Sequence, residues 1–343
     1  LCNLLTIMGN KISSPIRNEE EIVEEVEIVR KSVYGRELVD ILGSESFIKQ
    51  SWSDFCKEDF KDDIPLEEHC GDDRYYSRFV YKHSKVILND GRYINANFVL
   101  NRSYIACQAP LQHTLVPFWD MIFQENVHLI VMLTKVTEGS RTKALRYWPT
   151  SNHPSQIFGD KDNKDKWSME LKDKSVFEDN ILLRELTLTR KEDGAKRNIY
   201  QLQYIGWPDH GCPSEISEVL ALLLGVQQHL DKESSSNPIL VHCSAGIGRT
   251  GTFITIRHVL LNAIEKFKKQ ENYQELSELD VDGKIEAIKS FLSEYEFPID
   301  STVAELRKDR KMMVQRDEQL MFCYEVFQYL IEDQNDYTFE EFV

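Results

Sequence analysis

What the chain lacks narrows its class before any motif is read. No stretch approaches the ~20 consecutive apolar residues that a membrane span needs. The opening Leu1-Cys-Asn-Leu-Leu-Thr-Ile-Met8 is too short for a secretory signal and has neither a basic flank nor a cleavage site. Positive charge is scarce: 41 Lys+Arg stand against 57 Asp+Glu, and the formal net charge of −16 repels polyanions at long range, which argues against nucleic-acid binding. Any anion site must therefore be local. The seven cysteines (Cys2, Cys56, Cys70, Cys107, Cys212, Cys243 and Cys323) are odd in number and include no Cys-x-x-Cys pair. Neither a disulfide framework nor a zinc site is indicated, and a reducing, cytoplasmic setting is expected. Core material is not lacking. Over 343 residues, 41% are hydrophobic and 10% aromatic, so a sizeable buried core is expected rather than disorder.

The chain divides by pattern. From Glu19 to Leu42, Ile22, Val26, Val29 and Val33 recur at helical spacing between charges, which predicts an amphipathic, peripheral helix within residues 1–42. Upstream, Met8-Gly9-Asn10-Lys11-Ile12-Ser13 satisfies a loose acylation pattern and would carry a myristoyl anchor on Gly9 only if Met8 is the initiator. One acyl chain holds a membrane marginally, and the acidic run that follows has the wrong charge to help. A short helix is predicted from caps at Ser51 or Ser53 to Pro65. Between Tyr93 and Tyr204 the β-rich runs YIACQ, LIVMLT, SMELK and IYQLQYI predict strands, interrupted by a helical TLVPFWDMIF. After Pro213 helical periodicity returns, then one strand, Pro238–His242, then mostly helix to about Gln334. The fold class expected is α/β or α+β, a central mixed β-sheet flanked by α-helices. Residues 266–298 are rich in Lys, Glu and Ser and are expected to form a charged surface insertion. Their Asp280-Val-Asp-Gly283 predicts a turn, because Phe291 stands where a calcium loop needs its twelfth-position Glu.

The segment that carries chemistry is Pro238-Ile-Leu-Val-His-Cys-Ser-Ala-Gly-Ile-Gly-Arg-Thr-Gly251, a strand entering a helix through small residues. In such a turn the backbone N–H groups of Ser244, Ala245, Gly246, Ile247 and Gly248 can converge on a phosphate while the helix directs its positive end into the loop. That field also favours a thiolate at Cys243, and Arg249 can hold two phosphate oxygens bidentately. The loop also spells Gly-x-Gly-x-x-Gly, so a dinucleotide-binding oxidoreductase is the rival. That rival needs an acidic residue closing a strand about 20 residues later, and VLLNAIEKFKK reads as helix.

His242-Cys-Ser-Ala-Gly-Ile-Gly-Arg-Thr-Gly251 resembles the H-C-x5-R-[ST]-G signature of the protein tyrosine phosphatases, and the resemblance extends over roughly residues 50–333. Tyr93-Ile-Asn-Ala96, Phe118-Trp-Asp-Met121, Val131-Met-Leu-Thr134, Tyr147-Trp-Pro149, Trp207-Pro-Asp-His-Gly211 and the pair Gln315 and Gln319 resemble further motifs of that family, in order. The resemblance implies a single catalytic domain of non-receptor kind over 43–335, a C-terminal tail at 336–343, no metal or other cofactor, and phosphotyrosine-containing proteins as partners.

It also implies roles. Cys243 would be the nucleophile, Arg249 the phosphate clamp and Asp209 the general acid and later base. Thr250 would hydrogen-bond the sulfur, and Gln315 would position the hydrolytic water with Gln319 assisting. Trp207 would belong to the hinge of the acid loop, His242 would order the phosphate loop, Glu138 would pair with Arg249, and Lys143 would sit near the closed acid loop. Arg310 and Arg307 would brace the acid and phosphate loops. Tyr75 would stack on the substrate ring and set the pocket depth. A thiolate so placed implies reversible inactivation by peroxide through a sulfenic acid. Departures are also visible: Ser77 stands where the family usually has Asp, Asp72 and Asp73 precede Arg74, Ala144 replaces a usual cysteine, and Arg316 a threonine. A phosphotyrosine-binding scaffold without turnover is the reading from a different class; binding-only relatives commonly lack the acid, the thiol or the arginine.

Overall fold

The computed structural model describes residues 33–59, 71–76, 79–208, 211–233 and 237–332. Its centre is a mixed sheet of β1 (Ala96–Val99), β2 (Tyr104–Cys107), β3 (Leu129–Met132), β4 (Ser155–Phe158), β5 (Trp167–Glu178), β6 (Ile181–Arg190), β7 (Lys196–Tyr204) and β8 (Ile239–His242). They are hydrogen-bonded in the order β1-β2-β8-β3-β7-β6-β5-β4. Strand β8 runs parallel to β2 and β3, and β7 parallel to β3; the remaining neighbours are antiparallel. The central strands β2, β3 and β8 are buried along their whole length, which is why they read as continuous apolar runs rather than as alternation.

Helices cover both faces. The longer ones among the described residues are α1 (Glu45–Asp59), α2 (Leu115–Gln124), α3 (Ile216–Glu233), α4 (Gly248–Lys268), α5 (Val281–Glu294), α6 (Ile299–Asp309) and α7 (Asp317–Glu332). Tyr104, Ala106, Val131 and Val241 pack on one side of the sheet with apolar residues of α3, α4, α6 and α7. Ile105, Ile130, Met132 and Leu240 pack on the other with Trp119 and Phe118 of α2. The strand period of two thus sorts one short apolar run into two cores. The expected mixed sheet flanked by helices is the observed architecture.

Three local expectations change. Helix α1 starts at Glu45, not at the serines, because Ile48 and Phe55 are both buried in the core and fix its inner face from the earlier turn. Val33–Tyr34 pairs antiparallel with Glu296–Phe297, and Leu38 is fully buried, so core packing begins upstream of residue 43. Residues 19–32 and 336–343, with Met8 and Gly9, lie outside the described residues. Finally, 266–298 is more than a surface insertion: Ile288, Leu292, Tyr295 and Phe297 are buried against the main core. Asp280 there caps α5, its carboxylate accepting from the Gly283 N–H at 2.9 Å.

Candidate active site

Strand β8 delivers Cys243 at its C-terminal end, and α4 begins five residues later at Gly248. The intervening loop is bent back on itself: the Gly246 N–H points at the Cys243 sulfur, 3.3 Å away. Gly246 has φ +73, and a Cβ there would lie 2.0 Å from the Cys107 carbonyl oxygen, so only glycine fits this turn over β2. Gly251 plays a packing role, since a Cβ would meet the Val314 N at 2.3 Å and push the glutamine-bearing segment away.

The loop carbonyls, which point away from the cradle, are gathered by Arg310. This arginine is fully buried. It donates to Gly246 O (2.8 Å), Ala245 O (3.0 Å), Asn97 Oδ1 (2.8 Å) and Asn95 Oδ1 (2.7 Å). Turning these carbonyls outward leaves the N–H groups of the same peptides facing inward, which is what an anion cradle requires.

Arg249, on the first turn of α4, is clamped bidentately by Glu138, with Nη1 to Oε1 at 2.6 Å and Nη2 to Oε2 at 2.9 Å, and it also donates to Leu133 O at 3.1 Å. Thr134 holds the same carboxylate through its hydroxyl at 2.8 Å. Charge-assisted fork geometry of this kind fixes the guanidinium plane beside Cys243. Ser244 donates to Lys143 O at 2.7 Å and meets the Tyr75 hydroxyl at 2.8 Å. Thr250 has a fully buried hydroxyl with no partner among the described residues.

His242 is buried beneath the loop. Burial pulls its pKa down to about 4, so the ring is neutral at physiological pH. Its Nδ1 lies 3.0 Å from Cys243 O and its Nε2 2.7 Å from the Tyr147 hydroxyl. Gln201 donates to that hydroxyl (2.7 Å), and Arg184 donates to Gln201 Oε1 (3.0 Å). A continuous hydrogen-bonded chain thus runs from β6 to the peptide of Cys243.

Gln315 follows a strained segment: Met312 and the β-branched Val314 have φ +62 and +57. Such backbone persists only where its surroundings over-determine it. Here Val314 N donates to Ile247 O, while Arg307 donates to Met313 O at 2.9 Å and Val314 O at 2.7 Å. These bonds of Arg307 brace the glutamine segment. The Gln315 N–H donates to Gln319 Oε1 at 2.9 Å, so the two glutamines form one unit.

These parts enclose a cavity of about 190 Å³ lined by Tyr75, Lys143, Cys243, Arg249, Gln315 and Gln319, together with Phe79 and Arg316 and the loop residues. Asp209 lies outside the described residues. On either side of it, the buried Trp207 donates its indole N–H to Gly211 O at 2.9 Å. Sequence reasoning missed Phe79 in the lining and the supporting residues Asn95, Asn97, Tyr147 and Gln201. Asn95 and Tyr147 stood within motifs already noted, whereas nothing local marked Gln201.

The protein-tyrosine phosphatase family profile matches residues 69–329. The chain belongs to this family. Among curated relatives of this family member, Tyrosine-protein phosphatase 2 of Dictyostelium discoideum is 35% identical over 232 residues, covering 68% of this chain and 53% of that protein. Tyrosine-protein phosphatase non-receptor type 7 of Homo sapiens is 34% identical over 207 residues, 57% of this chain and 54% of the relative. The chain thus spans about half the length of these relatives, and only 26% of human receptor-type tyrosine-protein phosphatase alpha. A solved structure of PTPN18 in complex with HER2-pY1196 phosphor-peptides superposes with a TM-score of 0.68 at 26% identity, covering 85% of this chain and 96% of that one. Among the described residues, no helix is long and apolar enough to cross a membrane.

Proposed function

We propose that this phosphatase hydrolyses phosphotyrosine in cytoplasmic proteins through a phosphocysteine intermediate. The observation that carries this reading is the Cys243 thiol at the floor of a loop whose carbonyls are tied outward by Arg310, with the Arg249 guanidinium fixed beside it. In the first step the Cys243 sulfur attacks phosphorus, the P–O bond to the tyrosine breaks, and Asp209 gives the phenolic oxygen its proton. In the second step water attacks phosphorus, the P–S bond breaks, and Asp209 takes the water's proton while Gln315 orients it. Loop N–H groups and Arg249 hold the equatorial oxygens throughout, so positioning and fixed dipoles supply most of the rate. The Thr250 hydroxyl is the donor assigned to the departing sulfur. Tyr75 at the mouth sets a depth that suits an aryl phosphate. The phosphopeptide bound to PTPN18 is a property of that protein and supports, by analogy, peptide substrates here.

The test is hydrolysis of p-nitrophenyl phosphate and of a phosphotyrosine peptide, with EDTA present, by wild type, Cys243→Ser and Asp209→Ala. Cys243→Ser should abolish turnover, and Asp209→Ala should slow it by roughly 10²–10⁴-fold. Residual turnover in Cys243→Ser would refute the nucleophile. Tight phosphopeptide binding by wild type without turnover would make the protein a scaffold.

A further inference from the structure

Away from Cys243, a cavity of about 650 Å³ opens between the Lys135–Thr137 segment, the Arg146–Asn152 segment and strands β5 to β7. Four cations line it, Lys135, Arg146, Lys174 and Arg184, and no Asp or Glu does. The floor is formed by Arg184, only 5% exposed, with its guanidinium 4.5 Å from the Trp148 ring centroid. Its one hydrogen bond among the described residues goes to the neutral Gln201 amide. Burial without a carboxylate lowers its pKa to about 10. Lys174 is its direct cross-strand partner in the β5–β6 register, so two like charges face each other on one pleated surface. Such a pair is destabilising when nothing neutralises it.

None of the four cations is in an ion pair among the described residues, in a chain whose 57 acidic residues outnumber its 41 basic ones. Surface cations of an acidic protein ordinarily find carboxylates; here four converge on one concavity from which carboxylates are excluded. The contrast with Arg249, matched bidentately by Glu138, is direct. Thr137, Thr150, Ser151 and Asn152 add neutral polar groups at the wall, and the volume is that of a small-molecule site.

We propose that this cavity is a second anion site, which takes a phosphate ester carrying two or more phosphoryl groups. One phosphoryl group is matched to Arg184 and Lys174 on the sheet, and another to Lys135 and Arg146 at the rim. The same chemistry is offered by a free polyphosphate ester and by a phosphoinositide headgroup, and the experiment separates them. The proposal does not depend on turnover at Cys243.

Inorganic tripolyphosphate is titrated calorimetrically into wild type whose Cys243 loop is first saturated with orthovanadate. One further equivalent should bind, and Arg146→Glu/Lys174→Glu, at two exposed positions, should weaken it on the order of tenfold or more. Hydrolysis of p-nitrophenyl phosphate by this variant should match wild type, which shows that it is folded. In parallel, vanadate-treated protein is sedimented with phosphatidylcholine vesicles with and without phosphatidylinositol bisphosphate. Co-sedimentation lost in the variant assigns the lipid source; tripolyphosphate binding without co-sedimentation assigns the free one. Absence of both in wild type, or equal binding by the variant, overturns the proposal. Failure of the catalytic reading would instead appear as lost hydrolysis with this binding intact.

Discussion

Replacing Arg310 by Lys isolates the role of geometry from that of charge. The guanidinium spans four acceptors, two loop carbonyls and two asparagine oxygens, from a fully buried position. An ammonium keeps the charge but not the fork, and it can reach about two of the four. Each buried acceptor left without a donor costs about 1–3 kcal/mol, so Arg310→Lys should lose about 2–6 kcal/mol of stability. The loop carbonyls of Ala245 and Gly246 would be free to rotate, and the cradle N–H groups with them. Loss of one preorganised donor of this kind typically costs about 10²–10³-fold in kcat. The assay pairs urea denaturation with single-turnover kinetics on p-nitrophenyl phosphate at a temperature where both proteins are folded. If Arg310→Lys stays within about 1 kcal/mol of wild type and keeps its kcat, buried charge rather than the fork organises the loop.

Three further outcomes are expected. Glu138→Gln removes the carboxylate that holds both Arg249 nitrogens, and kcat/KM for p-nitrophenyl phosphate should fall about tenfold or more; steady-state kinetics with an unchanged value would show that Leu133 O suffices to place the guanidinium. His242 binds its proton less tightly folded, with a pKa of about 4 against an ordinary 6.5. The folded state therefore carries no penalty above the unfolded value and loses stability as pH falls through that window, by about 3 kcal/mol in all from this residue. Urea midpoints measured across it should be flatter for His242→Gln, and superimposable slopes would remove His242 as the cause. Tyr75→Ala should lower the preference for aryl over alkyl phosphates in kcat/KM, and an unchanged ratio would assign the pocket depth to Phe79.

The chemistry was legible where it is local. Cys243, Gly246, Gly248 and Arg249 lie on one strand-turn-helix, and their spacing alone describes a phosphate cradle. Of the scaffold that holds the cradle, Arg310, Glu138 and His242 were reached only through the family resemblance, and Asn95, Asn97, Tyr147 and Gln201 were not legible, because these members meet only in the fold. Arg310 reaches Asn97 across 213 residues of sequence, and Leu133 contributes a carbonyl that no side-chain pattern can announce. Central strands were found because burial on both faces makes their apolar runs continuous. The 266–298 segment reads differently for the opposite reason: α5 fully buries only Ile288 and Leu292, with Phe291 partly buried beside them, and most of its other positions are charged or small. Helix α1 begins about a turn and a half before Ser51 because the apolar contacts of Phe47 and Ile48 outweigh a serine cap.

The hydrogen-bonded chain from Arg184 to Cys243 has a direction. Arginine can only donate, so Gln201 must present its oxygen to Arg184 and its amide nitrogen to Tyr147. The Cys243 carbonyl can only accept, so the imidazole carries its hydrogen on Nδ1, and Nε2 is left to accept from the Tyr147 hydroxyl. The two ends of the chain, one cation on β6 and the Cys243 carbonyl, therefore agree on a single histidine tautomer beneath the nucleophile, three links from Arg184. A carboxylate at position 201 would break that order, since it would take the Tyr147 proton for itself. His242 would have to carry hydrogen on Nε2, and its bare Nδ1 would face the carbonyl it now supports.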